Sequence, residues 1–481
     1  MVNYSEALSE LKKLLSSDDV VVRELVAGGK KSALIYVDGM SDTVILDESV
    51  LKKLSDEKNA FEFTAESLKD VLGFSGEIQT LDSVGNAAAA VADGDVVFLA
   101  DGAADYFVLS IRKFNTRAIV EPPTSAVLKG PREGFIEDLK VNLTLIRRRL
   151  RTPSLRVKQL KIGRYTNSPV AVLWLDGVAT PESVSKITER LQKIDIDGVL
   201  DSSYIADFLK EKKVSIFEQV GMNEKPDMVA AKLLEGRVAI VVDGSPMVLT
   251  LPFILLEHFQ YSYDYYTVSP RATFLRMIRL LGIMFSVLLP GAYVAMQEFH
   301  YHLLPLNFLV TVQGAISGIP FSPPMEMLAV ILIFEVLQQA SVRMPKFLGF
   351  ALSIVGAIVL GETAVNAGLI SSPAVLVVAL SALGTNIMPD ELSVVSTFRL
   401  LFVLVASVLG LYGMLAASMV ILTHLASFDS YGAPYLAPNA PMISSDMKDN
   451  LFKANLYKMK ARPKSVPNVN GKRMGDINEN R

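Results

Sequence analysis

FLGFALSIVGAIVLGETAVNAGLISSPAVLVVALSALGTNIMPDELSVVSTFRLLFVLVASVLGLYGMLAASMVILTHL, residues 347–425, decides how the rest of the chain is read. From Phe347 to Pro389 the only ionisable side chain is Glu362, and Leu400 to Leu425 holds no Asp, Glu, Lys or Arg. About 20 mostly apolar residues carry a helix across a bilayer. The block therefore predicts membrane helices at about Phe347–Ile370, Ala374–Met388 and Leu400–Leu425. Small residues run along two of them: Gly349, Ser353, Ala357 and Gly361, then Ala406, Gly410, Gly413 and Ala417. In lipid such stripes mark where another helix backbone approaches closely. Packing within one subunit and packing between subunits both satisfy them.

Upstream, Met325–Met344 carries Glu335, Gln339 and Arg343 at four-residue spacing. An ionised residue at the bilayer centre costs about 2.5–3.5 kcal/mol even on insertion scales, so this stripe faces protein, a cavity or the interface. Pro320, Pro323 and Pro324 break the moderately apolar run Leu303–Ile319 just before it. The pair reads as a polar hairpin that does not fully cross. A first span is expected at about Leu280–Gln297, kinked at Pro290. Before it come Tyr261, Tyr263, Tyr265 and Tyr266 as a head-group belt, and Arg271, Arg276 and Arg279 as a positive-inside signal. Met247–Phe259, apolar but short and interrupted by Pro252, reads as lying along the interface. Residues 261–428 thus form a membrane domain of about four spans plus the hairpin. The tail Asp446–Arg481 has nine Lys or Arg against four Asp or Glu. Residues 429–481 are expected to be a cytoplasmic tail, largely disordered. Both termini then lie on the cytoplasmic side.

The N-terminal half is of another kind. Hydrophobic content is 51% and mean hydropathy +0.36, but the excess sits after Phe274. A formal net charge of −3 gives no case for nucleic acid, and the lack of cysteine excludes disulfides and thiolate chemistry. No apolar core opens the chain, so no cleaved signal peptide is expected. Four apolar runs end in Asp-Gly: at Asp38-Gly39, Asp101-Gly102, Asp176-Gly177 and Asp243-Gly244. Such runs are buried strands stopped by tight turns. The offsets, 138 residues from Asp38 to Asp176 and 142 from Asp101 to Asp243, predict two copies of one α/β unit. These are residues 1–120 and 156–260, joined by a connecting segment, 121–155. That segment opens with Glu121-Pro122-Pro123-Thr124 and continues as a helix from about Arg132 to Arg151, with Ile136, Leu139, Leu143, Ile146 and Leu150 on one seam. Its terminal Arg147, Arg148 and Arg149 are either solvated or meet carboxylates of a neighbouring subunit or anionic head groups.

Nothing in the chain reads as catalytic. Gly28-Gly29-Lys30-Lys31-Ser32 lacks the order of a phosphate loop, and His300 and His302 beside Tyr301 are too few for a metal site. No metal and no cofactor is expected. A cation path needs polar groups on a helix that tolerates the membrane. Ser381, Thr385 and Asn386, below a collar of Val375, Val378 and Ala382, meet that description, with Glu362 of the preceding span near the path.

The sequence resembles the A subunit of GerA-type spore germination receptors along nearly its whole length. The resemblance rests on Glu121-Pro122, Gly130-Pro131-Arg132, Phe135-Ile136-Glu137-Asp138, Asn142-Leu143 and the Arg147–Arg149 run. It continues through Glu224-Lys225-Pro226-Asp227, where Lys replaces a usual Arg, then Gly236–Ile240, Asp243 and Ser245-Pro246, and Asp264-Tyr265-Tyr266. Pro320-Phe321 with Glu335, and Gly432–Pro438 (GAPYLAP), complete it. What the resemblance implies is a protein of the spore's inner membrane, working beside a transporter-like B subunit and a lipoprotein C subunit. The A subunits of such receptors are thought to form a homo-oligomeric ring that releases cations when nutrient is bound. The same family includes a stage V sporulation paralogue, which would act as an accessory channel or scaffold without sensing nutrient.

Overall fold

The computed structural model describes residues 4–56, 63–73, 78–113, 129–343 and 361–475. The chain divides into two compact units. One is Met1–Glu257 with Asp429–Asp449 and Ala454–Arg481; the other is His258–Phe428 with Asn450–Lys453.

The first unit holds two sheets. Strands β1 (Val20–Ala27), β2 (Lys30–Val37), β3 (Ile78–Leu81), β4 (Val96–Ala100) and β5 (Tyr106–Leu109) lie in the order β1-β2-β4-β5-β3. Strands β6 (Leu155–Ile162), β7 (Ser168–Leu175), β8 (Gly221–Asn223), β9 (Val238–Val242) and β10 (Val248–Leu251) lie in the order β6-β7-β9-β10-β8. All of these pairings are antiparallel. The two orders coincide strand for strand, as the Asp-Gly offsets predict. Each Asp-Gly turn needs its glycine: φ is +86° at Gly39, +75° at Gly102, +76° at Gly177 and +84° at Gly244. Only glycine enters that region without steric cost.

Helices cover both faces of each sheet. From β4, Val97 and Leu99 join one core with the Tyr4–Leu14 and Val84–Ala92 helices, while Val96, Phe98 and Ala100 join another. From β9, Ala239 and Val241 pack with the Leu139–Arg147 helix, and Val238, Ile240 and Val242 with the Pro181–Gln192 helix. A sheet buried on both faces has no polar face, so its strands read as unbroken apolar runs.

Three expectations for this unit are corrected. Met247–Phe259 does not lie along an interface; Val248–Leu251 is the fully buried strand β10, and the run is apolar because both its faces are covered. The connecting helix is shorter than Arg132–Arg151. It spans Leu139–Arg147, with Asp138 as its cap accepting from Val141 N at 2.9 Å. The residues before it are held extended against the second sheet's subdomain: Phe135 N donates to Glu224 O, and Gly244 N to Glu137 O, each at 2.8 Å. Lastly, residues 429–475 are ordered rather than disordered. Asp446 Oδ2 accepts from Ser465 N at 2.7 Å, and Arg462 gathers the carbonyls of Leu234, Asn470 and Lys472 at 2.6–2.7 Å. Composition shows too few apolar residues for this tail to build a core of its own. It needs none, because Tyr431 joins the core of the second subdomain, and Met459 and Val466 are buried as well.

The second unit is helical. Its helices are Ser269–Glu298, Leu306–Ile316, Pro323–Arg343, Ser372–Asn386 and Leu392–Ala426, and residues 361–366 are also helical. Among the described residues three helices are long and apolar enough to cross a membrane: Ser269–Glu298, Pro323–Ala340 and Pro389–Ala426. The second arm of the expected hairpin is one unbroken helix of 21 residues. At ~1.5 Å per residue that reaches roughly 30 Å, a hydrocarbon thickness. Conversely, the Ser372–Asn386 helix has 15 residues, too few to cross alone. Most of the Phe347–Ile370 span, with Gly349, Ser353 and Ala357, lies outside the described residues.

Candidate functional site in the membrane unit

Pro290 sits inside the Ser269–Glu298 helix. Lacking an N–H, it leaves the carbonyl four residues earlier, Ser286 O, without its helical donor. Two side chains from other helices take that place: Ser381 Oγ donates to Ser286 O at 2.7 Å and Arg399 Nε at 3.2 Å. The exchange is mutual, for Ser286 Oγ donates to Ser381 O at 2.8 Å. Arg399 NH2 donates to Thr385 Oγ1 at 2.6 Å, and that hydroxyl donates to Ser381 O at 3.1 Å. On the other side, Arg399 NH1 lies 3.6 Å from Glu335 Oε1, which accepts from Ser396 Oγ at 2.5 Å. Arg399 is 1% exposed. Its NH1 has no hydrogen bond, since 3.6 Å is an ion-pair distance only.

Two glycines permit this seam. A Cβ at Gly384 would stand 2.4 Å from both Gly282 O and Ser286 Oγ, and one at Gly291 2.9 Å from Phe402 O. Close backbone approach is what small residues contribute to helix pairs in lipid. The last helix does the same at Gly410, where φ is +62° and ψ −150°, a break inside an otherwise continuous helix. His300 and Phe299 fill the gap: a Cβ at Gly410 would meet His300 Cε1 at 2.9 Å.

The residues singled out from sequence divide accordingly. Val378, Ser381, Ala382 and Thr385 are buried within their own chain, Val375 is half-buried, and Asn386 and Glu362 are exposed. Glu335 meets Arg399 and Ser396, whereas Gln339 is exposed. Arg343 closes the same helix. Gly361 is half-buried, and a Cβ there would reach Val375 Cγ1 at 3.9 Å. On the last helix Ala406 packs against Ala295 of the same chain. In the first unit Arg147 is buried and holds Asp19 with two bonds, Nε to Oδ2 at 2.5 Å and NH2 to Oδ1 at 2.6 Å. Arg148 and Arg149 both reach Glu133, at 3.5 and 2.8 Å. These arginines meet carboxylates of their own chain.

Sequence reasoning passed over Arg399, Ser286 and the Gly282–Gly384 contact. Arg399 stands one residue before the charge-free run that begins at Leu400, so it read as a flank rather than a member. Ser286 had a usable signal, its place four residues before Pro290.

Two further buried charge clusters occur, one in each unit. In the membrane unit, Asp264 accepts from Arg279 NH1 and NH2 at 2.7 and 2.9 Å and from Arg276 Nε at 3.1 Å. The tyrosine belt is used here as well: Tyr261 lies 4.6 Å from the Arg279 guanidinium and Tyr265 5.6 Å from that of Arg276. In the first unit Glu257 is shared by Lys232, at 2.7 Å, and Arg237. Burial pushes the Glu257 carboxyl up, but Arg237 and Lys232 outweigh it and hold it below the usual carboxylate range. Burial holds the Lys232 ammonium below its ordinary range despite Glu257.

The profile of the Bacillus/Clostridium GerA spore germination protein family matches residues 8–465. This chain belongs to the GerA family. It is 34% identical over 481 residues to spore germination protein KA of Bacillus subtilis (strain 168), covering 98% of this chain and 88% of that protein. Identity is also 34% over 479 residues to the uncharacterized membrane protein YfkQ of the same strain, covering 98% and 93%. Spore germination protein GerLA of Bacillus cereus is 32% identical over 468 residues, covering 96% and 95%. Among solved structures, the N-terminal domain of the A subunit of the Bacillus megaterium spore germinant receptor GerK3 is similar at 28% identity. That match has a TM-score of 0.42 and covers 52% of this chain and 94% of the other. Family membership and the apolar helices make this GerA protein a membrane protein of spore germination.

Proposed function

We propose that this GerA-family chain is the A subunit of a nutrient-gated receptor in the spore inner membrane, a homo-oligomer that conducts cations beside a transporter-like subunit and a lipoprotein. Its relatives' names support a role in spore germination, and the receptor and its partners follow from the resemblance to A subunits. The observation that carries the conducting role is the polar seam Ser286–Ser381–Thr385–Arg399–Glu335 inside helices that otherwise suit lipid. A structural anchor needs no such seam, and burying one is expensive unless it is used. In the closed arrangement Val378, Ser381, Ala382 and Thr385 are turned into their own bundle, so conduction requires the Ser372–Asn386 helix to leave Ser286. Its hydroxyls then line the path, with Val375 and Val378 as the collar and Asn386 and Glu362 at its ends. Both termini lie on the core side in this reading.

The test is cation efflux from spores and from liposomes carrying the purified receptor. Val378→Ala is expected to give leak without nutrient, and Glu335→Leu to abolish triggered release while the protein still inserts. Efflux indifferent to Val378, Ser381 and Thr385 together overturns this path.

A further inference from the structure

A second polar cluster in the membrane unit takes no part in the Arg399 seam. Glu326, in the first turn of the Pro323–Arg343 helix, is fully buried. Its Oε1 accepts from the backbone N of Ser371, the residue that caps the Ser372–Asn386 helix through its own hydroxyl at 3.3 Å from Ala374 N. Its Oε2 has no hydrogen-bond partner. Tyr293 and Gln297 stand one turn apart on the Ser269–Glu298 helix, 5% and 9% exposed. The Tyr293 hydroxyl interacts loosely with the Gln297 and Ser371 side chains and feels the Glu326 charge. Neither that hydroxyl nor either amide atom of Gln297 makes a hydrogen bond of ordinary geometry.

We propose that Glu326 Oε2, Gln297 Oε1 and the Tyr293 hydroxyl form a buried site for one dehydrated alkali cation. Of these groups Tyr293 packs in one cluster with Val294, Met327, Val330, Ile370 and Ala374, apolar residues that supply no substitute ligand. Buried polar atoms normally find partners, and a buried charge without a counter-charge is costly. Glu335, further along the same helix, has Arg399. Among the described residues no cationic side chain pairs with Glu326. One carboxylate with neutral oxygens sets the charge class: a monovalent ion leaves the site neutral, whereas a divalent ion leaves it positive in a low-dielectric setting. Oxygen ligands alone suit a hard cation and can replace its hydration shell, as channel carbonyls do. Ser371 is a positioning residue, fixing the carboxylate through its amide.

The site does not rest on conduction, and its test separates the two. The purified full chain in detergent is melted in choline chloride, then with KCl or NaCl replacing choline at constant ionic strength. A cation that binds only the folded state raises the melting temperature with its concentration. Wild type is expected to respond to K⁺ or Na⁺, and Glu326→Gln to lose the response. Gln297→Leu and Tyr293→Phe leave the Ser371 contact intact, so they serve if Glu326→Gln does not fold; each should need at least tenfold more cation. A wild-type protein that melts alike in choline and in K⁺ or Na⁺ overturns the proposal in favour of a protonated Glu326 satisfied by water. A response that survives in both ligand variants also overturns it, placing the cation elsewhere. Binding without any liposome efflux would sink the channel reading and leave this site standing.

Discussion

Two buried charges of the first unit and two of the membrane unit are partnered in opposite ways. In the first unit Arg147 grips Asp19 twice, and Glu257 has two cationic partners, Lys232 and Arg237. In the membrane unit the central charge is left partly open, with Arg399 NH1 at 3.6 Å from Glu335 and Glu326 Oε2 bonded to nothing. A closed buried pair resists rearrangement, because breaking it strands a charge; an open one has bonds still to form. The Arg147 and Glu257 clusters are therefore expected to hold their shape, while Arg399 and Glu326 have bonds left for a second arrangement to form.

Glu257→Gln attacks the closed side and carries the largest expected effect. Removing one partner of a buried pair costs about 3–5 kcal/mol, and here two cations are stranded. The pH profile sharpens the point. Because the folded Glu257 carboxyl sits below its ordinary 4.5, its contribution is full above 4.5 and disappears as pH falls through the lower folded value. Wild type should lose this stability only on strong acidification. The variant should be weak at neutral pH and lack that limb, read by urea unfolding of the full chain at stepped pH. Equal stability of both proteins at pH 7 would break the comparison.

Gly384→Ala tests whether the membrane seam depends on backbone contact. Its Cβ would overlap Gly282 O at 2.4 Å, and overpacking costs about 1–3 kcal/mol. The expected result is a lower melting temperature in detergent, with the first unit unaffected. An alanine tolerated without change would show that the Ser372–Asn386 helix has slack against its neighbour.

How much of this was legible depends on where each signal lives. The doubled α/β unit was readable because Asp38, Asp101, Asp176 and Asp243 each precede a glycine forced to positive φ, a local demand that leaves a local mark. The Gly432–Pro438 motif was readable as a pattern but not as a contact. Its Tyr435 Oη donates to Glu218 O, and the preceding Tyr431 Oη to Leu209 O, more than 200 positions away, and no spacing encodes that. Val248–Leu251 misled because an apolar run buried on two faces looks the same whether sheet or lipid buries it. Ser381 and Thr385 stood out in the sequence as polar residues on an apolar helix. Which way they point was set by Pro290 and Arg399 on other helices, and period alone does not carry that.

The smallest expected effect isolates the proline. Ser381→Ala removes one interhelical bond, worth about 0.6 and at most roughly 1.7 kcal/mol in comparable settings. If the bond exists because Pro290 leaves Ser286 O without a donor, its worth depends on that proline. Pro290→Ala returns an N–H to the helix, and Ser286 O then has a partner in its own backbone. In that background the Ser381 hydroxyl is redundant at that oxygen, and Ser381→Ala should cost less than it does in wild type. A double-mutant cycle on detergent melting reads the difference as a coupling. Costs that simply add would mean Ser286 O is held by Arg399 alone. Coupling would show that Pro290 and the polar seam are one device.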